Sequence, residues 1–426
     1  MERFVVEGGR RITGEVRVHG AKNSSLPILA ASLLYGGETI LHNCPMLSDV
    51  DAAIEILLYL GCSVIREGDT VIINSDHIDH SEIPETLMHE MRSSIVFLGP
   101  MVSRLSKAKL SFPGGCELGP RPIDLHISSL KKLGVNIVEE YGCLNCSAHK
   151  GLTGTKIALS FPSVGATENI LLASVMAKGE TVIHNAAQEP EIIDLANYLI
   201  SRGAKIKDAG KSTVIVEGVS KLNPTEYTVM PDRIVATTYL CGAAATGGEV
   251  LLSSVQPGDL ESVLPVFEQA GCHLKVYHDK IALSRPDSLC AVKSLRTMPY
   301  PGFPTDAQAP IMAMLTLADG TSVFVENIFE NRYKHACELV RMGADIKLEG
   351  KVAVVQGVPK LYGATVEATD LRGGAALVVA ALAADGITKI NGIGHIDRGY
   401  EALEKAFHSL GARIKRESNE VRQENE

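Results

Sequence analysis

The chain has 426 residues, 45% of them hydrophobic and 21% charged, with a formal net charge of −9 at pH 7. That length exceeds one compact core and points to two or three domains, while the acidic balance argues against broad nucleic-acid binding. No basic start leads into an apolar run and no apolar stretch could cross a bilayer free of charges and turns. Nine cysteines without framework spacing fit a reducing, cytoplasmic setting.

Phe4–Glu7 and Ile12–His19 read as strands, the second resembling Leu361–Val366 far along the chain. Lys22 and Asn23 then open an almost wholly apolar helix, SLPILAASLLY, which runs through glycines into the alternating strand ETILHN. An amphipathic helix follows, ending at YLGCSVI, and a second strand, Thr70–Asn74, comes after a polar turn. The pattern is therefore strand, buried helix, strand, amphipathic helix, strand, strand.

The same phrase returns as KLGVNIV, SRGAKIK, QAGCHLK, RMGADIK and SLGARIK. Its glycines, Gly61, Gly134, Gly203, Gly271, Gly343 and Gly411, recur every 68 to 73 residues, as a repeat architecture requires. Each stands where a helix C-terminus needs a left-handed residue. Second strands recur at Val214–Gly218 and Val352–Gly357. Apolar helices recur as ENILLASVMAK, VATTYLCGAAAT, QAPIMAMLTLA and LVVAALAA, with a looser copy near Ile95–Leu110.

Six units of the form βαβαββ, three to a domain, close around their buried helices with sheets outside. The fold class expected is α/β, a two-domain inside-out α/β barrel. The last unit is incomplete, because the chain after Arg413–Lys415 is too polar for a packed strand and its tail reads as solvated. The N-terminal strands supply what is missing. The domains are then residues 22–230, and 1–21 joined to 231–426, with two crossings that let a cleft open and close.

Within the first domain lies PGGCELGPRP, residues 113–122, where three prolines and three glycines exclude a helix or central strand. Cys116 shares this loop with Arg121, and a thiol in an exposed, electropositive loop is biased toward reactivity. The alternative is a surface cysteine beside a turn. His126 follows the loop, and His395 precedes Arg398; each is a site candidate or an ordinary helix-start histidine.

The buried helices begin with residues that an apolar core does not need. Lys22 and Asn23 open the first, Arg92 the second, and Thr167-Glu168-Asn169 the third. Asp232 and Arg233 open the fourth, Asp306 the fifth, and Asp370-Leu371-Arg372 the sixth. Helix N-termini attract anions, and Lys22, Arg92, Arg121, Arg332 and Arg398 add cations suited to phosphate and carboxylate. Capping alone could explain Asp232, Thr167 or Asp306, but not cations at that end of a helix. Other signals are weaker. Gly210-Lys211-Ser212-Thr213 lacks the earlier glycine of a phosphate loop, and Cys143 with Cys146 has no partner pair, so no metal or cofactor is expected.

Taken together, Lys22-Asn23, MRSS at 91–94, PGGCELGPRPIDLH at 113–126, SVGAT at 163–167, NAAQEPEI at 185–192, FPTDAQAP at 303–310, IFENRY at 328–333, TDLRGG at 369–374 and HIDRGYE at 395–401 resemble the UDP-N-acetylglucosamine 1-carboxyvinyltransferase family of enolpyruvyl transferases. The likeness spans essentially the whole chain. It implies transfer of the enolpyruvyl group of phosphoenolpyruvate to the 3′-hydroxyl of UDP-N-acetylglucosamine, with loss of phosphate. That is the first committed step of peptidoglycan synthesis, and hence serves cell-wall growth, cell shape and division.

By the same resemblance Cys116 is the proton donor to phosphoenolpyruvate and the site of a covalent adduct. Asp306 contacts the sugar 3′-hydroxyl and takes its proton. Lys22, Arg121 and Arg398 bind the donor's anions, with Asn23 on the sugar nucleotide and Arg92 at the cleft edge. Asp370-Leu371-Arg372 supports the phosphate pocket, while Glu189 and Arg332 support the basic cluster. Arg121, Pro122, Ile123, Asp124, Leu125, Ser163, Val164, Gly165 and Ile328 form the nucleotide surface. The partners implied are these two small molecules, with no nucleic acid, membrane or obligate protein partner. Ser48 and Phe161 depart from the lysines some members carry. The rival acceptor is shikimate 3-phosphate, and a non-catalytic nucleotide-binding homologue is a rival of another class.

Overall fold

The structure, a computed structural model, describes residues 2–112 and 123–418. Cys116, Arg121, Pro122 and residues 419–426 lie outside the described residues.

Strands Glu38–His42, Thr213–Glu217 and Val352–Gln356 each bury every second residue, as strands with one face on a core do. Among the described residues such strands build six four-stranded sheets, all with one pattern. In each, the first pair is parallel and the other two are antiparallel. Thr225–Thr228, Glu38–His42, Thr70–Asn74 and Ser63–Glu67 make one such sheet. Another consists of Thr365–Glu367, Ile387–Asn391, Glu2–Glu7 and Arg413–Ser418. Its register sets Phe4 against Ile390 and Arg416, so the chain's first strand is central in a sheet completed by its last.

The described residues form two compact units, 20–112 with 123–230, and 2–19 with 231–418. Each holds three of the sheets and its own apolar core. In the second unit, helices Arg233–Thr246, Thr305–Leu315 and Leu371–Ala383 pack on one another and are buried nearly all round. In the first, Lys22–Ala31, Leu98–Leu105 and Val164–Ser174 take the interior positions. Amphipathic helices such as Ser48–Leu60 bury one face, here Asp49, Val50, Ala52, Ala53, Ile56, Leu57 and Leu60. No described helix is long and apolar enough to cross a membrane.

The six repeated glycines have φ between 88° and 109°, a region that costs other residues about 1–2 kcal/mol. Local differences from the sequence reading have physical causes. The looser second helix is split into a 3₁₀ turn, Arg92–Phe97, and a helix, Leu98–Leu105. Pro100, in the first turn of the second piece, lacks the N–H that would bond back across that junction. The third interior helix begins at Val164 rather than Thr167, because Ser163 caps it by accepting from Ala166 N at 3.3 Å. The last strand continues past Lys415 to Ser418. Its polar side chains are no obstacle at a sheet edge, where Arg416 pairs with Glu2, Asp397 and Glu404.

Candidate active site

In the unit of residues 20–112 and 123–230, Lys22 stands in the first turn of its helix, where the dipole opposes a cation. Asp49, from the next helix, offsets this with an ion pair of 2.7 Å, both side chains being nearly buried. Asn23 is partly buried beside it. Ser24 donates to Asp194 Oδ2, and Tyr227 donates to Asp194 Oδ1 at 2.6 Å. Burial raises the Asp194 carboxyl from its ordinary value against these hydrogen bonds.

Glu168 and the start of helix Pro190–Ser201 form an acidic group. Thr167 Oγ1 accepts from Ala187 N at 3.0 Å and so holds the two segments together. Burial, then Glu191 and Glu189, pushes the Glu168 carboxyl up to about 8. Glu189 occupies the N-cap position of its helix without capping it through its side chain.

His126 joins two segments to which the family resemblance gives a nucleotide-binding role. It lies in the first turn of Asp124–Lys132, and a Cβ on Gly165 would meet its Cε1 at 3.1 Å. Ile123, Asp124 and Leu125 are therefore neighbours of Ser163, Val164 and Gly165. Asn169 Nδ2 donates to Ile95 O and to His126 Nδ1, at 3.0 and 2.8 Å, and its Oδ1 accepts from Gly99 N. The imidazole consequently carries its proton on Nε2. Burial lowers its pKa to about 4, which keeps it neutral at physiological pH. Arg92 opens the 3₁₀ turn that ends at Phe97.

In the unit of residues 2–19 and 231–418, three helix N-termini meet. Asp306 Oδ1 accepts from Arg332 Nη2 at 2.7 Å, and its Oδ2 accepts from Arg372 Nη2 at 3.2 Å. Both arginine side chains are 2% exposed while Asp306 keeps 27%. The cations are thus structural walls and the carboxylate faces outward from them. Arg332 Nη2 also donates to Thr305 O at 3.0 Å. Burial works against the charge of Arg372, but Tyr400, Asp306 and Asp232 outweigh it and hold its pKa above the ordinary value. Its guanidinium lies over the Tyr400 ring, 5.3 Å from the centroid, and Tyr400 OH is 2.9 Å from Thr238 Oγ1.

Of the candidate caps only Asp232 does cap, and Asp370, which the sequence reading did not single out as a cap, does so as well. Asp232 accepts from Ile234 and Val235 N, and Asp370 accepts from Arg372 and Gly373 N. Asp306 and Thr167 lie inside their helices instead. Arg398 caps the C-terminus of the short helix Gly394–Asp397, which includes His395. Gly399 abuts Leu371 there.

Sequence reasoning missed Glu326. This buried carboxylate accepts from Thr297 Oγ1, Ile328 N and Phe329 N on Oε1, at 2.8 to 3.0 Å, and from Thr305 Oγ1 on Oε2 at 3.0 Å. It joins the Ile328 segment to the helix start that holds Asp306. The only hint in the sequence was a charged residue ending the apolar strand TSVFV. Among the described residues no group of three His, Cys, Asp or Glu side chains could hold a metal ion.

Residues 6–418 match the family described as EPSP synthase (3-phosphoshikimate 1-carboxyvinyltransferase). A UDP-N-acetylglucosamine 1-carboxyvinyltransferase 2 from Caldanaerobacter subterraneus subsp. tengcongensis is 54% identical over 416 residues, covering 98% of this chain and 100% of that one. The chain belongs to the UDP-N-acetylglucosamine 1-carboxyvinyltransferase family. A further member from Synechocystis sp. is 45% identical over 420 residues, covering 96% of this chain and 94% of its own length. Among solved structures, the enolpyruvyl transferase NikO from Streptomyces tendae matches with a TM-score of 0.89 at 25% identity over 97% of this chain and 98% of that one. EPSP synthase from Acinetobacter baumannii matches at 0.77 and 20% identity, over 98% of this chain and 100% of that one, and shares the fold.

Proposed function

We propose that this chain transfers the enolpyruvyl group of phosphoenolpyruvate to the 3′-hydroxyl of UDP-N-acetylglucosamine, releasing phosphate, as a cytoplasmic enzyme of peptidoglycan synthesis. The observation that carries the chemistry is Asp306, a partly exposed carboxylate gripped by the two buried arginines Arg332 and Arg372. Such a group is oriented in advance for a hydroxyl proton. Membership of the family selects the acceptor.

In this reading each unit is an inside-out α/β barrel of three βαβαββ repeats. Asp306 takes the proton of the 3′-hydroxyl as its oxygen bonds to C2 of phosphoenolpyruvate. Cys116 delivers a proton to C3, giving a tetrahedral ketal. Loss of a proton from C3 and of phosphate from C2 then restores the double bond. Lys22, Arg121 and Arg398 bind the donor's phosphate and carboxylate, with Arg372 and Asp370 behind the phosphate. Asn23 and Arg92 serve the sugar nucleotide, Ile123, Asp124, Leu125, Ser163, Val164, Gly165 and Ile328 its nucleotide end, and Glu189 the basic cluster.

Phosphate release from phosphoenolpyruvate, measured with each acceptor in turn, tests the assignment. UDP-N-acetylglucosamine should support it and shikimate 3-phosphate should not. The reverse preference defeats the proposal, and release with neither acceptor favours a non-catalytic homologue. In the same assay Cys116→Asp should keep turnover and Cys116→Ser should largely lose it.

A further inference from the structure

Four elements meet at the guanidinium of Arg416, on the strand Arg413–Ser418. Nη1 donates to Glu2 Oε2 at 2.8 Å and to Asp397 Oδ2 at 3.0 Å, and Nη2 donates to Asp397 Oδ1 at 2.6 Å. Nε reaches Glu404 Oε1 at 3.4 Å, and the group lies over the Phe4 ring, 5.1 Å from its centroid. Paired N–H donors on both oxygens of Asp397 fix its direction as well as its distance.

Asp397 is the last residue of the helix Gly394–Asp397, and Arg398 is its C-terminal cap. The opposite side of this turn is seated just as firmly. Ile396 is fully buried against Gly374, where a Cβ would meet its Cγ1 at 2.7 Å. Two residues past Arg398, Tyr400 bonds Thr238 and lies beneath Arg372. Arg398 therefore leaves the middle of a segment anchored by Ile396 and Tyr400 inward and by Asp397 outward.

We propose that Arg416 is a positioning residue: acting through Asp397, it fixes the turn from which Arg398 reaches phosphoenolpyruvate. The inference rests on the reading of Arg398 as a ligand of the donor's anions. Without Arg416, the carboxylates of Asp397, Glu2 and Glu404 face one another with their shared cation gone, and the turn loses its outer anchor. The Arg398 guanidinium is then displaced rather than removed. Lysine at 416 restores the charge but not the two-pronged geometry.

Steady-state kinetics of the full chain, with phosphoenolpyruvate varied, tests this. In Arg416→Met the KM for phosphoenolpyruvate should rise roughly 5- to 30-fold, with the KM for UDP-N-acetylglucosamine within about twofold. Arg416→Lys should recover part of the loss. On an Arg398→Ala background, Arg416→Met should add no further rise, since residues acting through one another are not additive. If Arg416→Met does not fold, Asp397→Asn is held to the same criteria. An unchanged KM in a folded variant, or an equal rise on the Arg398→Ala background, overturns the inference while wild-type turnover leaves the functional reading intact. A wild-type chain that releases no phosphate overturns both.

Discussion

Arg372 and Asp306 stand in the first turns of two different interior helices, and their side chains meet at 3.2 Å, Nη2 to Oδ2. Arg332 closes on the other carboxylate oxygen at 2.7 Å. A pair of guanidiniums thus fixes the direction of one carboxylate, and each partner comes from a segment distant in sequence. Asp306→Asn keeps the shape and removes the charge. Its kcat should fall roughly 10²- to 10⁴-fold, while calorimetric binding of UDP-N-acetylglucosamine weakens much less. A variant retaining most of its kcat excludes Asp306 as the base.

Glu326 couples Asp306 to the Ile328 segment. Glu326→Ala leaves buried donors, including two backbone N–H groups, without their acceptor, at about 1–3 kcal/mol for each group that stays dry. Urea unfolding should show a loss of at least about 2 kcal/mol, and the KM for the sugar nucleotide should rise. Glu326→Gln keeps an acceptor for those N–H groups and should lie much nearer wild type. Equal behaviour of the two variants removes the coupling role.

Glu168 links stability to pH. Its carboxyl is held up to about 8 by burial, Glu191 and Glu189, against an ordinary 4.5. Between those values the folded chain retains a proton that the unfolded chain has lost. This group's contribution therefore declines as pH rises from about 4.5 to about 8 and is flat beyond. Glu168→Gln abolishes that slope. Its unfolding free energy relative to wild type should increase from pH 5 to pH 8 by at least about 1 kcal/mol; a difference independent of pH contradicts the assignment.

Two of the repeat glycines separate backbone strain from steric clash. Gly411 has φ of 90°, and no described atom lies within 4 Å of where a Cβ would stand. A Cβ on Gly61, φ 109°, would lie 2.8 Å from Asp79 N. Gly411→Ala should cost about 1–2 kcal/mol and Gly61→Ala distinctly more. Equal losses in urea unfolding would show that neighbouring atoms do not matter at Gly61.

Periodicity made much of the architecture legible. The six glycines occupy left-handed positions because each ends an outer helix before a strand, a demand local enough to be written in a short phrase. The apolar helices declared their interior placement by lacking a polar face. What stayed hidden depends on partners far apart in sequence. Nothing near Lys22 announces Asp49, and nothing near Glu326 announces Thr305. The polar end of the chain read as solvent-facing because Arg416 has its partners at Glu2, Asp397 and Glu404. Cap identity was only partly legible, since Asp232 stands at the N-cap of its helix and caps it, whereas Asp306 lies inside a helix whose N-cap is Pro304.

Product NMR after incubating the full chain with UDP-N-acetylglucosamine and phosphoenolpyruvate labelled with ¹³C at C2 tests the proposed reaction most directly. The account predicts a vinyl ether in which the labelled carbon couples to the sugar H3 proton, formed in step with inorganic phosphate and absent with Asp306→Asn. Label that stays in phosphoenolpyruvate, or appears only in pyruvate, contradicts it.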